Sequence, residues 1–144
     1  MGKKRVIQKS DLTTEEGRAS AIKSNLPKKK ITNAVAHIQS TYNNTIISVT
    51  DEQGNALVTA SAGALGFRGA KKGTPYASTK VAEFLGEKAK AMGIKNVSIL
   101  VKGVGAGRES AIRSFSAQGF DISTVRDITP VPHNGPRPPK PRRV

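Results

Sequence analysis

A period of two in the apolar residues predicts β-strands after the first thirty residues. Ala34 and Ile38 fall on one face of a strand covering Asn33–Ser40, because successive side chains of a strand point to opposite faces. Polar residues then predict a turn, the β-branched run Thr45–Thr50 a second strand, and another polar turn leads to a third strand at Ala56–Ala60. Both connections are short, so we expect an antiparallel meander.

Apolar residues that recur every three to four positions predict two helices after the meander. The first runs from Pro75 to about Met92, with Thr74 as its N-cap and Gly93 as its stop. The second covers residues 108–118. The positions that we expect the two helices to bury are Ala77, Val81, Phe84, Leu85, Met92, Ala111, Ile112 and Phe115.

Two further strands complete the predicted order βββαβαβ. Val97–Val101 is largely apolar, which favours a strand covered on both faces, and Asp121–Thr129 is the last strand. Helical crossovers join strands that run parallel, and such crossovers are right-handed. The predicted fold class is therefore α/β, with a mixed five-stranded sheet and helices packed on it.

The chain divides into a folded centre and two basic, extended arms. We predict an N-terminal arm at residues 1–32, a globular domain at 33–129 and a tail at 130–144. Six of the 8 prolines lie in the tail, which has no acidic residue. Because proline lacks the amide hydrogen that helices and sheets use, the tail cannot form either.

Charge indicates the class of partner. The net charge is +14, and the N-terminal arm holds nine basic and three acidic residues, the tail four basic residues and no acid. A concentrated positive excess predicts a polyanionic partner, most simply nucleic acid.

Composition excludes several other classes of protein. There is no cysteine, so disulfides, thiolate zinc sites and a cysteine nucleophile are excluded. No apolar run reaches membrane-spanning length, and we predict no membrane association. The polar start favours a cytoplasmic protein, while an organelle transit peptide is disfavoured by Asp11, Glu15 and Glu16.

The segment KGVGAGRES joins a strand to a helix, the place where nucleotide-binding folds hold phosphate. The dinucleotide fingerprint G-x-G-x-x-G fails at Arg108, and the mononucleotide loop is absent from the whole chain. A backbone phosphate could still bind the amides of Gly105 and Gly107 together with Arg108. The alternative is a tight turn without a ligand.

The segment GALGFRGAKKG places three cations, Arg68, Lys71 and Lys72, among glycines. Glycine allows a backbone to approach another surface closely. Phe67 favours RNA contact over a merely solvated lysine loop, because an aromatic ring can stack on an unpaired base.

Carboxylates decide whether the sheet could be a metal-dependent nuclease. The first strand has no acid, Asp51 and Glu52 fall in a turn, and Asp121 and Asp127 are roughly 20 Å apart on an extended strand. We predict no catalytic residue, no metal and no other cofactor, and no small-molecule substrate. His37 and His133 are too far apart in sequence to suggest a pair, and His37 is expected to be a strand residue.

Asn134-Gly135 has two interpretations. It is a turn signal. It is also a site where the next backbone nitrogen can attack the asparagine amide, giving isoaspartate at Asn134.

Four segments, in the same order along the chain, closely resemble the universal small-subunit ribosomal protein eleven family in its bacterial form. The segments are NNTIISVTDEQGNAL, GFRGAKKGTPYAS, VKGVGAGRESAIR and RDITPVPHNGPRPPKPRRV, within roughly Ile31–Val144. Val104 and Ala106 replace the prolines that the family often carries in the glycine turn at Gly103–Gly107. Pro136 and Pro141 replace other residues that are common in the family's tail.

The resemblance implies a ribonuclease H-like sheet without a nuclease site, in a structural constituent of the ribosome. It implies a place on the platform of the small subunit, bridging rRNA helices and lining the cleft of the Shine–Dalgarno duplex. Implied protein partners are ribosomal proteins seven and eighteen and initiation factor three. The other hypotheses are a free-standing nucleic-acid-binding protein and a metal-dependent nuclease.

We predict rRNA contacts from the basic segments, the first turn and the tail. The residues are Lys28, Lys29, Lys30, Asn43, Asn44, Phe67, Arg68, Lys71, Lys72, Gly105, Gly107, Arg108, His133, Asn134, Arg137, Lys140, Arg142 and Arg143.

Overall fold

A computed structural model describes residues 31–142. The sequence predictions for residues 1–30, for Arg143 and for Val144 lie outside the described residues. The strands are β1 (Asn33–Ser40), β2 (Thr45–Thr50), β3 (Ala56–Ser61), β4 (Asn96–Lys102) and β5 (Asp121–Asp127); the helices are α1 (Pro75–Ala91) and α2 (Gly107–Ala117), with a 3₁₀ turn at Gly69–Gly73.

The five strands form one mixed sheet in the order β3-β2-β1-β4-β5. The β1–β2 and β2–β3 pairs are antiparallel, and the β1–β4 and β4–β5 pairs are parallel. This confirms the predicted α/β class and mixed five-stranded sheet.

One face of the sheet carries the core. Ile38 pairs with Ile47 on one side and Val101 on the other, and all three are buried. Ser98 and Leu100, which alternate with the buried residues of β4, are only partly buried. The prediction that this strand is covered on both faces was wrong, because the apolar side chains of α1 and α2 pack into the core on one side of it.

The helix boundaries follow the predicted caps. Thr74 Oγ1 accepts a hydrogen bond from Ala77 N at 3.3 Å, Pro75 is the first helical residue, and Gly93 has a left-handed φ of 87° after the last turn. The predicted helical core positions are buried except Phe84 and Ile112, which are half-buried and pack against the edge of the core.

The last strand is two residues shorter than predicted. It ends at Asp127, although Ile128 N still donates to the carbonyl of Val101 at 2.8 Å. Residues 130–142 contain neither helix nor strand and are exposed. Neither helix of the described part is long and apolar enough to cross a membrane.

Candidate nucleic-acid interface

One edge of the sheet collects most of the segments that the sequence singled out. Parallel strands end on the same side of a sheet, so the segments that follow β1, β4 and β5 all leave from it. We use the name "basic edge" for the turn at 41–44, the 3₁₀ turn Gly69–Gly73, the turn at 103–106, and residues 128–129.

The glycine turn is packed against the end of β1. Gly105 is buried, and its amide donates to the carbonyl of Ser40 at 3.0 Å. A Cβ atom built on Gly103 would lie 2.1 Å from the oxygen of Ser40, and one on Gly105 would lie 2.3 Å from the oxygen of Thr41. These glycines are required for close approach between two segments of the chain.

Gly107 makes a similar contact at the start of α2. A Cβ atom there would lie 2.7 Å from Thr45 Oγ1 and 2.8 Å from Ser78 Cβ. Ser78 Oγ donates to the Gly107 carbonyl at 2.6 Å, which ties α2 to α1. Both glycines are buried and the Gly105 amide already has an acceptor, which favours the alternative interpretation, a tight turn. A phosphate at these amides stays a prediction.

Arg108 is held by the chain itself. Its guanidinium donates to the Gly103 carbonyl, to the Asp127 carboxylate, and to Thr129 Oγ1 at 3.4 Å. The Gly103 amide donates to the same hydroxyl at 3.1 Å. We call Gly103, Arg108, Asp127 and Thr129 the Arg108 clip. It fastens the end of β5, where the tail begins, to the glycine turn.

Asp127 receives several hydrogen bonds within the clip. The Thr129 hydroxyl donates at 2.5 Å and the Thr129 amide at 2.9 Å. These bonds, followed by the one from Arg108, lower the pKa of Asp127 from 3.8 to about 2. The carboxylate is therefore ionised throughout the physiological range, and the positive charge of Arg108 has a local partner.

The basic loop, residues 66–74, leads into α1 and lies beside the first turn. Gly73 is buried, and a Cβ atom there would lie 2.1 Å from the Tyr42 carbonyl oxygen. Arg68 and Lys71 are exposed and Lys72 is half-buried. The basic loop thus presents cations next to Asn43, and the sequence from 66 to 74 contains no acid.

Two tyrosines at this end of the molecule were missed as functional candidates. Tyr42 is 78% exposed in the first turn and Tyr76 is 64% exposed at the start of α1. Tyr76 stands at right angles to half-buried Phe67, with ring centroids 6.0 Å apart. A helical wheel would have identified Tyr76, since it shares the polar face of α1 with Lys80 and Glu83.

The two asparagines of the first turn differ in environment. Asn44 is half-buried, its Oδ1 accepts from Thr45 N at 3.0 Å, and its carbonyl accepts from Thr41 N at 2.9 Å. Asn44 therefore closes the turn, whereas Asn43 is exposed.

The tail presents its polar residues to solvent. His133, Arg137, Lys140 and Arg142 are exposed, and Lys28, Lys29, Lys30 and Arg143 lie outside the described residues. Asn134 has a φ of 54°, the one positive value outside glycine within residues 31–142. That conformation fits the predicted turn, and isoaspartate formation stays a prediction.

The acids do not gather into a metal site in the described part of the chain. No group of three or more histidine, aspartate or glutamate side chains is placed to hold an ion among residues 31–142. Glu52 and Asp121 line one pocket at the far end of the sheet, where Glu52 accepts from Asn33 at 2.9 Å. Asp51 closes the β2–β3 turn, and hydrogen bonds led by the Asn55 side chain lower its pKa.

The family comparison covers both the sheet and the tail. The chain matches the sequence model of the family described as Ribosomal protein S11 over residues 34–143. The match runs from β1 through the glycine turn and into the tail as far as residue 143, and so includes all of the basic edge. The chain belongs to the ribosomal protein S11 family.

Proposed function

We propose that this protein is a structural component of the small-subunit platform that bridges rRNA helices through its basic edge and its C-terminal tail. Family membership gives the broader part of the function: a structural ribosomal protein of the small subunit that binds rRNA and other ribosomal proteins. The family is not an enzyme family.

The observation that carries the proposal is the junction of edge and tail. The Arg108 clip fixes the last residues of β5 against the glycine turn, so the tail leaves the domain from the same edge that presents Lys71 and Asn43. A folded surface and a long basic strip are therefore available on one side of the molecule. Such an arrangement can contact more than one rRNA helix.

The tail suits a narrow path between RNA helices. Its prolines keep it extended in isolation, so it loses little conformational entropy when it docks. Its basic side chains neutralise phosphates, which supports affinity with little sequence preference. Base-specific contacts then come from side chains of the folded domain.

The finer part of the proposal concerns neighbours in the particle. We propose that the protein lines the cleft of the Shine–Dalgarno duplex and contacts ribosomal proteins seven and eighteen and initiation factor three. We also propose that it is located in the cytoplasm. The support for these is the resemblance of the four quoted segments and the exposure of the tail from Pro130 to Arg142.

The test replaces the tail's four basic residues by glutamine in the full chain. Binding to a small-subunit rRNA fragment should weaken, and the slope of log affinity against log salt should become shallower by about three, at roughly 0.7–0.9 per lost phosphate contact. The matched control changes four tail prolines to alanine at constant charge and should retain the slope. An unchanged slope in the glutamine variant would remove the tail from the interface.

A further inference from the structure

An open pocket of about 550 Å³ lies between the basic loop and the start of α1. It is lined by Gly66, Phe67, Arg68, Lys71, Thr74 and Tyr76. Its position is fixed at both ends: Thr74 caps α1, and Phe67 N donates to the Ala62 carbonyl at 3.2 Å. The pocket therefore belongs to the fold and does not depend on the tail.

Two aromatic rings form the apolar walls. Phe67 and Tyr76 pack edge to face at 79° to each other, and the pocket beside them is large enough for a flat group. The protein has only two tyrosines and no tryptophan, so large aromatic side chains are scarce. One of them, Tyr76, is nevertheless 64% exposed. An aromatic ring left open beside a pocket offers a surface for stacking.

The charge around the pocket selects the ligand. Its lining contains two cations, Arg68 and Lys71, and no acid. A second pocket shares Phe67 and Tyr76, and its lining includes Glu83, Glu87 and Lys80, which is ion-paired to Glu83 at 2.8 Å. The Phe67–Tyr76 pair thus divides a pocket with two cations and no acid from one with a single excess acid, and a polyanion would be drawn to the first.

We propose that this cationic pocket binds a single unpaired base of RNA, with the base stacked on Tyr76 against Phe67 and the flanking phosphates near Arg68 and Lys71. The proposal rests on the proposed rRNA-binding function and adds a subsite to it. An unpaired base is required because the faces of paired bases are already stacked within the helix. Stacking tolerates every base, so the subsite recognises a bulge or loop rather than a sequence.

The experiment uses the full chain and two synthetic RNA hairpins that are closed by a non-nucleotide linker, so that neither loop offers an unpaired base. One has a single unpaired 2-aminopurine in its stem, and the other has the same stem fully paired. Titration gives the affinity for each hairpin, and quenching of the 2-aminopurine fluorescence reports stacking. The proteins are the wild type, Tyr76→Ala, Tyr76→Phe and the exposed control Val125→Ala on β5.

The wild type should bind both hairpins, prefer the bulged one and quench its fluorescence. Tyr76→Ala should weaken binding to the bulged hairpin by about 5- to 150-fold, the loss expected for one stacked base. Its affinity for the paired hairpin should change by less than about twofold, because the cations that attract phosphate remain. Tyr76→Phe keeps the ring and should retain the preference and the quenching, as should Val125→Ala.

Three outcomes would overturn the proposal. Equal losses on both hairpins would make Tyr76 a general contact. Binding of the bulged hairpin without quenching would place the base elsewhere, and in both cases rRNA binding itself would stand. Failure of the wild type to bind either hairpin at low salt would instead remove the proposed function together with the subsite.

Discussion

Replacing Gly105 by alanine tests whether the glycine turn is required for packing or for a phosphate. The new Cβ atom would lie 2.3 Å from the Thr41 oxygen and 2.4 Å from Ser40 Oγ. Carbon atoms are not tolerated so close, and the Thr41 oxygen belongs to the backbone, so the glycine turn must move away from the end of β1. Gly105 does not have a left-handed φ, so the clash alone is responsible.

The expected loss is the cost of overpacking, about 2 kcal/mol within a usual range of about 1–3 kcal/mol. For a domain of this size that corresponds to a melting temperature lower by on the order of 10 °C. Gly63→Ala is the matched control, because its Cβ atom would lie 3.6 Å from Lys72 Cδ, an ordinary contact. Gly63→Ala should be neutral or slightly stabilising.

The assay is thermal unfolding followed by circular dichroism, with RNA affinity measured well below the melting temperature. The packing account expects a lower melting temperature in Gly105→Ala and an unchanged salt slope for RNA binding. A normal melt combined with a shallower salt slope would refute it, since that combination means that the turn contacts phosphate and tolerates the methyl group.

Three further predictions follow from the clip, the tail and the acids. Asp127 has a folded pKa of about 2, below its ordinary 3.8, so its ionised form stabilises the fold above about pH 4 and this contribution is lost as the pH falls through 2. The melting temperature of the wild type should exceed that of Asp127→Asn above pH 4, and a difference that persists undiminished at pH 2 would contradict the assignment. Aged protein should gain isoaspartate at Asn134 by peptide mapping, and Gly135→Ala should slow its formation; equal rates would exclude this chemistry. Purified protein should cleave neither RNA nor an RNA–DNA hybrid with Mg²⁺ or Mn²⁺; cleavage abolished by Asp51→Asn or Asp121→Asn would show a nuclease.

The elements of the fold could be predicted because their signals are local. The alternation around Ile38 gave β1, and Thr74-Pro75 with Gly93 gave the limits of α1. The exposed face of β4 could not be predicted from its own residues. Leu100 is apolar like its buried neighbours, and its partial exposure depends on where the helices pack.

The candidate site could be predicted from the sequence where it depends on composition alone. The prediction failed where the role of a residue depends on a contact with a residue far away in the chain. The exposed basic tail follows from its prolines and cations. Gly105 contacts Ser40 and Thr41, more than sixty residues earlier in the chain, so the sequence around it could not separate packing from phosphate binding. Arg108 likewise meets Asp127 only because β5 lies beside β4.

Co-sedimentation of the native protein with ribosomal subunits on a sucrose gradient, with quantification by mass spectrometry, tests whether the protein is a component of the small subunit. We expect the protein to travel with the small subunit at one copy per particle and to stay there after a high-salt wash. Protein at the top of the gradient, or spread over DNA and RNA without fixed stoichiometry, would contradict this expectation.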